Sequence, residues 1–232
     1  MLTVNIVLSG LGGQGILFMT KVLAQAALNK GFKTMGAETH GMAQRGGSVI
    51  SHLRFGEVEG SLVRAGSAHF LLALEENEAY RNIPFLTKGG KLYVNASPKS
   101  FVRQEVSPYL DKMEIVYRAV MAEKIATELG TPMSSNLALL GFFSAFEKDL
   151  VTHKQLRDAI DQVTPSRFKE SNLKVFDAGF EIGAHGYDHS NLQGVGEEEL
   201  THQLDDARQD LHALGLGAQA EHLADDAFLA LE

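Results

Sequence analysis

The segment Gly10-Leu11-Gly12-Gly13-Gln14-Gly15 leaves this chain little choice of fold. It follows a short apolar run, Val4 to Leu8, and precedes Ile16, Met19, Leu23 and Ala27, which recur at helical spacing until Gly31. A β-branched run ended by glycines is the pattern of a buried parallel strand, and Lys33 to Ala37 reads as a weaker second strand. Together these pieces make a strand–loop–helix–strand unit. They open an α/β fold, a Rossmann-like doubly wound sheet, mostly parallel. A second glycine-rich stretch, Glu38-Thr39-His40-Gly41-Met42-Ala43-Gln44-Arg45-Gly46-Gly47, follows the second strand. In such a sheet the loops after consecutive strands lie side by side at the carboxyl ends, where ligands bind. The two stretches therefore predict one shared site.

The remaining periodicity fills in that fold. Ser48 to Phe55 alternates as a strand, and Phe70 to Leu74 is another apolar run, followed by a helix predicted over Asn77 to Leu86. Lys88-Gly89-Gly90 reads as a turn into a strand at Lys91 to Asn95, and Met113 to Tyr117 as a last strand before a helix over Met121 to Leu129. Thr131-Pro132 breaks that helix. Ser134 or Ser135 is placed to cap the next, Asn136 to Phe146, and helices over His153 to Val163 and Ser171 to Ile182 complete the body. Gly183 to Gly196 is rich in glycine, histidine, asparagine and serine and reads as a linker. Beyond it, Leu200, Leu204, Ala207 and Leu211 share one helix face, and Leu223, Ala227 and Leu231 another. These two predict a C-terminal helical hairpin appendage that packs on its own domain or docks on a partner.

Composition removes several functions. The 232 residues include no cysteine, so thiolate-held iron–sulfur clusters, disulfides and cysteine catalysis cannot belong to this chain. Of the 29 acidic residues, eleven lie at or beyond Tyr187 against one basic residue there, Arg208. The net charge of −8 therefore resides in the tail, and the body is close to neutral. No basic stripe points to nucleic acid. No apolar run approaches the ~20 residues that span a bilayer, and the N-terminus lacks the features of a signal peptide. A soluble, cytoplasmic protein with no membrane partner is expected.

Gly10-x-Gly12-x-x-Gly15, with Glu38 placed 23 residues after Gly15, satisfies the dinucleotide-binding pattern. A free-standing NAD(P)- or flavin-binding domain is therefore one candidate function, and a purely structural turn satisfies the same pattern. A Walker phosphate loop is excluded, because Ile16-Leu17 stands where lysine and serine or threonine are required. The second stretch crowds His40, Gln44 and Arg45 among Gly41, Gly46 and Gly47. An arginine there is able to hold a carboxylate or phosphate through two parallel N–H bonds. His185 and His189 have a spacing that suits a metal only on a rigid helix, which Gly186 opposes, so no metal site is expected. His52 reads as a hydrogen-bonded structural residue. A non-enzymatic assembly module, motivated by the acidic tail, is a third candidate.

Gly10 to Gly15, the string Glu38 to Gly47 and Ser48-Val49-Ile50-Ser51-His52-Leu53-Arg54 together resemble the gamma-type domain of the pyruvate/2-oxoacid:ferredoxin oxidoreductase family, in the form of its indolepyruvate-type small (beta) subunit. The likeness continues through Leu72-Ala73-Leu74-Glu75, Ser135-Asn136 with Gly141, and Asn172 to Gly179; it departs at Glu76-Asn77-Glu78-Ala79. The likeness covers a working domain over 1–183; the linker over 184–196 and the acidic helical tail over 197–232, read from composition and periodicity, lie outside it. It implies oxidative decarboxylation of an aryl 2-oxoacid with coenzyme A, giving acyl-CoA and carbon dioxide and reducing ferredoxin. Thiamine diphosphate, magnesium and iron–sulfur clusters would sit on a large partner subunit, with no catalytic residue assigned in this chain. Gly12, Gly13, Gln14 and Gly15 would form one loop of a shared interface site, and His40, Gln44, Arg45 and Gly46 its neighbour.

Overall fold

The computed structural model describes residues 3–40 and 46–186. The apolar run and the first glycines form β1 (Val4–Leu11), and α1 (Ile16–Asn29) starts directly after Gly15. Next come β2 (Thr34–His40), β3 (Ser48–Phe55), β4 (Ala68–Ala73), α2 (Glu76–Asn82), β5 (Leu86–Asn95), α3 (Ser107–Lys112) and β6 (Val116–Val120). Four helices close the order: α4 (Ala122–Glu128), α5 (Ser135–Phe146), α6 (His153–Val163) and α7 (Lys169–Glu181).

The six strands make one sheet in the order β2-β3-β1-β4-β5-β6. β1, β4, β5 and β6 run parallel, while β3 is antiparallel to both β1 and β2. The doubly wound, mostly parallel sheet is thus present, with β3 inserted between the two strands that α1 connects. The short connection from β2 to β3 dictates this: a parallel neighbour needs a crossover of a dozen or more residues, an antiparallel one only a hairpin.

Alternation along the strands divides the core into two layers. Ile6, Leu8, Leu53, Leu72 and Tyr93 face α1 and α4–α7, while Val7, Leu71, Leu92 and Val94 face α2 and α3. α5 is buried on every side from Asn136 to Ala145. It crosses α7 backbone to backbone: a Cβ on Gly141 would lie 2.0 Å from the Phe176 carbonyl oxygen, and one on Gly179 2.0 Å from that of Ala138. Just past the carboxyl end of α5, buried Glu147 accepts hydrogen bonds from Lys91 Nζ at 2.8 Å and from the Tyr93 hydroxyl, both on β5.

Several expected boundaries move. The helix predicted over Asn77 to Leu86 stops at Asn82, because Pro84 has no N–H to continue it, and Ile83–Phe85 closes as a 3₁₀ turn. Lys88-Gly89-Gly90 is no turn between elements but a bulge inside β5. The register with β4 passes from Ala68↔Leu86 to Phe70↔Lys91, and Gly89 takes a φ of 73°. The strand placed at Met113 to Tyr117 begins only at Val116; α3, unforeseen, enters through Pro108 in its first turn and ends at Lys112. Neither Ser134 nor Ser135 caps α5 by side chain; Ser134 Oγ instead reaches Asn172 Oδ1 at 3.4 Å. α6 spans the predicted residues, opened by a reciprocal Thr152/Gln155 capping box. The described chain ends in a π-helical turn, Ile182–Gly186; the tail helices expected over 197–232 lie outside the described residues. No helix among the described residues is long and apolar enough to cross a membrane.

His52 lies in the middle of β3, 5 % exposed; its Nδ1 accepts the Val63 N–H at 3.3 Å and its ring stands edge-on to Phe85. Burial holds its pKa below the ordinary 6.5. The unfolded chain therefore binds this proton more readily. Stability is fully present above about pH 6.5 and falls as pH drops toward the folded pKa. His52→Asn, which keeps an acceptor but does not titrate, should flatten urea-midpoint profiles between about pH 7 and 5. Gly179→Ala should cost about 1–3 kcal/mol or more, since backbone rather than a side-chain tip must move. Equilibrium urea unfolding measures it, and a wild-type midpoint would show that α5 and α7 separate freely.

Candidate functional site

The predicted site lies at the carboxyl end of the sheet, where β1 gives way to Gly12–Gly15. Gly13 and Gly15 have φ values of 102° and 79°, a left-handed region that favours glycine. Gln14 folds back over this loop. Its Oε1 accepts the Leu11 N–H at 2.7 Å and its Nε2 donates to the Leu74 carbonyl at 3.4 Å, so it ties the ends of β1 and β4. A Cβ on Gly10 would meet Gln14 Oε1 at 2.7 Å. Gly15 is packed against Asn136 in the first turn of α5, whose Nδ2 donates to the Gly15 carbonyl at 3.1 Å; a Cβ on Gly15 would lie 2.4 Å from that nitrogen.

Two of the three glycines in the dinucleotide pattern therefore make room for side chains of this chain. In a dinucleotide-binding loop the first and third glycines would serve the turn and helix–strand packing, and the second, Gly12, the approach of pyrophosphate; here both backbone groups of Gly12 are bonded to Gly46 and Gly47. Glu38, the expected ribose partner, lies within β2 opposite Ser51 rather than beyond the strand end. The free-standing nucleotide-binding candidate loses its support on both counts.

The second loop does meet the first, by a different route from the one expected. β2 is separated from β1 by β3, so the loops do not follow neighbouring strands. It is the entry to β3 that touches β1: the Gly12 N–H donates to the Gly47 carbonyl at 2.8 Å, and the Gly46 N–H to the Gly12 carbonyl at 3.2 Å. These bonds extend the β1–β3 ladder, which ends at Leu11↔Ser48. Gly13 and Gly46 are exposed on the resulting rim. His40 closes β2 opposite Val49. Gln44 and Arg45 lie outside the described residues, as does His189.

Sequence reasoning missed the polar seam that supports this rim. The Leu74 carbonyl, already engaged by Gln14, also accepts from Asn95 Nδ2 at 3.2 Å, and Asn95 Oδ1 accepts the Glu123 N–H at 3.2 Å. The seam thus runs from β1 through β4 and β5 to the start of α4. Asn95 ends its strand, a position that marks the ligand edge of a parallel sheet, and this was the available signal. Among the described residues no group of three His, Asp or Glu side chains comes together to hold a metal.

A family model described as pyruvate ferredoxin/flavodoxin oxidoreductase matches residues 5–182, nearly the whole described body. The chain belongs to this family. Curated members similar to it include the indolepyruvate oxidoreductase subunit IorB of Thermococcus kodakarensis, 37% identical over 188 residues, covering 75% of this chain and 93% of that protein. The IorB subunit of Pyrococcus horikoshii is 36% identical over 188 residues, with the same coverage. Among solved structures, the keto/oxoacid ferredoxin oxidoreductase gamma subunit of Geobacter sulfurreducens shares the fold, with a TM-score of 0.60 at 23% identity over 78% of this chain and 98% of that one. A second model, described as polysaccharide deacetylase, matches residues 153–224. The part of that segment common to both matches contains α6 and α7, which pack into the body of the oxidoreductase fold.

Gln14→Ala removes the acceptor of the Leu11 N–H and one donor to Leu74. A loss of about 1 kcal/mol in urea unfolding is expected, with faster amide exchange at Leu11. Unchanged exchange there would show that the loop holds its shape without the glutamine.

Proposed function

We propose that this chain is the small, cluster-free subunit of a thiamine-dependent 2-oxoacid:ferredoxin oxidoreductase acting on indolepyruvate or a related aryl 2-oxoacid. Similarity along 93% of a protein named as an indolepyruvate oxidoreductase subunit carries this reading. The assembled enzyme converts the 2-oxoacid and coenzyme A to acyl-CoA and carbon dioxide, and the two electrons released reduce ferredoxin. Thiamine diphosphate and its magnesium supply the decarboxylation chemistry, and iron–sulfur clusters carry the electrons. All of these belong to the large subunit, an assignment supported by the lack of cysteine in this chain.

The contribution of this chain is one wall of the shared site. The working domain placed at 1–183 runs on through the π-helical turn to Gly186, so the linker placed at 184–196 starts only after that turn; 197–232 is an acidic appendage. Gly12, Gly13, Gln14 and Gly15 give a wall of fixed backbone, with Gln14 bracing it from inside. By the family resemblance, the stretch that contains His40, Gln44, Arg45 and Gly46 is the part of this chain assigned to the interface with the large subunit. The role assigned to Arg45 is to engage a carboxylate or phosphate of thiamine diphosphate, substrate or coenzyme A, a pairing that the guanidinium's parallel N–H donors suit. The complex is cytoplasmic.

Co-expression with the large subunit should yield a co-purifying complex that reduces ferredoxin, whereas the isolated chain should neither turn over nor bind NAD(H). Arg45→Ala should lower kcat/KM of the complex about 10- to 100-fold, the range expected for a lost hydrogen bond to a charged group. Full activity from the isolated chain, or unchanged kinetics in Arg45→Ala, would sink the proposal.

A further inference from the structure

On the α2 side of the sheet, beneath the rim, lies a carboxylate to which the sequence assigned no role. Glu78 is 1 % exposed. Its Oε2 accepts a hydrogen bond from Ser48 Oγ at 2.6 Å, and its Oε1 pairs with Arg81 Nη1 at 2.5 Å. The main chain of the same residue is also held. Its carbonyl accepts from Asn82 Nδ2 at 2.8 Å and Ser9 Oγ at 3.4 Å, and its N–H donates to Glu75 Oε2 at 2.9 Å.

Burying a carboxylate is costly, and an apolar side chain of similar volume packs a helix as well or better. α2 already buries Ala79 on the sheet, so the charge must be accounted for by what it holds. Arg81 extends into solvent, with 67% of its side chain exposed. Among the described residues the partner inside the protein is Ser48, the first residue of β3. Ser48 pairs with Leu11 and directly follows Gly47, whose carbonyl accepts the Gly12 N–H. A continuous path therefore runs from the Glu78 carboxylate through Ser48 and Gly47 to Gly12.

We infer that Glu78 is a positioning residue for the glycine rim: through Ser48 it fixes Gly46 and Gly47 against Gly12, so that the rim presents one backbone arrangement to the partner subunit. The consequence for turnover rests on the proposed function of that rim; the consequence for its geometry does not.

Three variants separate the two. Ser48→Ala and Glu78→Met each remove the bond, while Glu78→Gln keeps an acceptor for Ser48. In the full-length chain, exchange of the Gly12 amide should become about five- to tenfold faster in Ser48→Ala and Glu78→Met, the loss of one net hydrogen bond. The double variant should exchange no faster than either, because both act on one contact, and Glu78→Gln should stay near wild type. In the complex assembled with the large subunit, kcat should fall in the same order while KM for the 2-oxoacid holds. Faster exchange with wild-type kcat would uphold the positioning role and overturn only the functional reading of the rim. Wild-type exchange at Gly12 in folded Ser48→Ala would overturn the inference whatever the kinetics. That variant removes a single oxygen and leaves α2 intact, so the test does not depend on Glu78→Met folding.

Discussion

Two backbone hydrogen bonds, between Gly12 and the pair Gly46–Gly47, join what would otherwise be separate loops into a single rim. They exist because β3 runs antiparallel between β1 and β2, so its entry rather than the end of a neighbouring parallel strand meets the β1 loop. Neither bond uses a side chain. The partners must approach at main-chain distance, and Gly46 has a left-handed φ of 74°.

The same geometry explains why the dinucleotide-like pattern misleads here. Room at Gly10 and Gly15 is taken by Gln14 and Asn136, two amides of the chain itself. Those amides join β1 to β4 and α5 to the loop, so the loop is held by bonds within the chain. Such preorganisation suits a surface that completes a site on another polypeptide, because a wall already in place loses little entropy on assembly.

Much of the fold was legible in the sequence because its signals are local. The β1 run, the helical periodicity of α1, the alternation of β3 and the capping box of α6 each declare themselves within a dozen residues. What was not legible depended on distant partners. A strand pattern at Met113 to Tyr117 hid the end of α3, since Met113, Ile115 and Tyr117 alternate whether or not they lie in a sheet. Gly89 looked like a turn because a bulge and a turn ask the same of a glycine. At the site, the adjacency of the two loops was foreseen but its cause was not: nothing in Ser48 to Phe55 states which strand it will join. Asn136 and Glu78 went without roles, because a side chain 121 residues from Gly15 or 30 from Ser48 announces no partner in one dimension.

α5 ties these observations to the interior. One end places Asn136 under Gly15, and just past the other, Glu147 grips Lys91 and Tyr93 of β5. The helix is bonded at both extremities and enclosed by protein between them. The exposed loop is thus tied through Asn136 to a helix enclosed by protein, and a substitution that shifts α5 has a direct route to the surface that it does not itself touch.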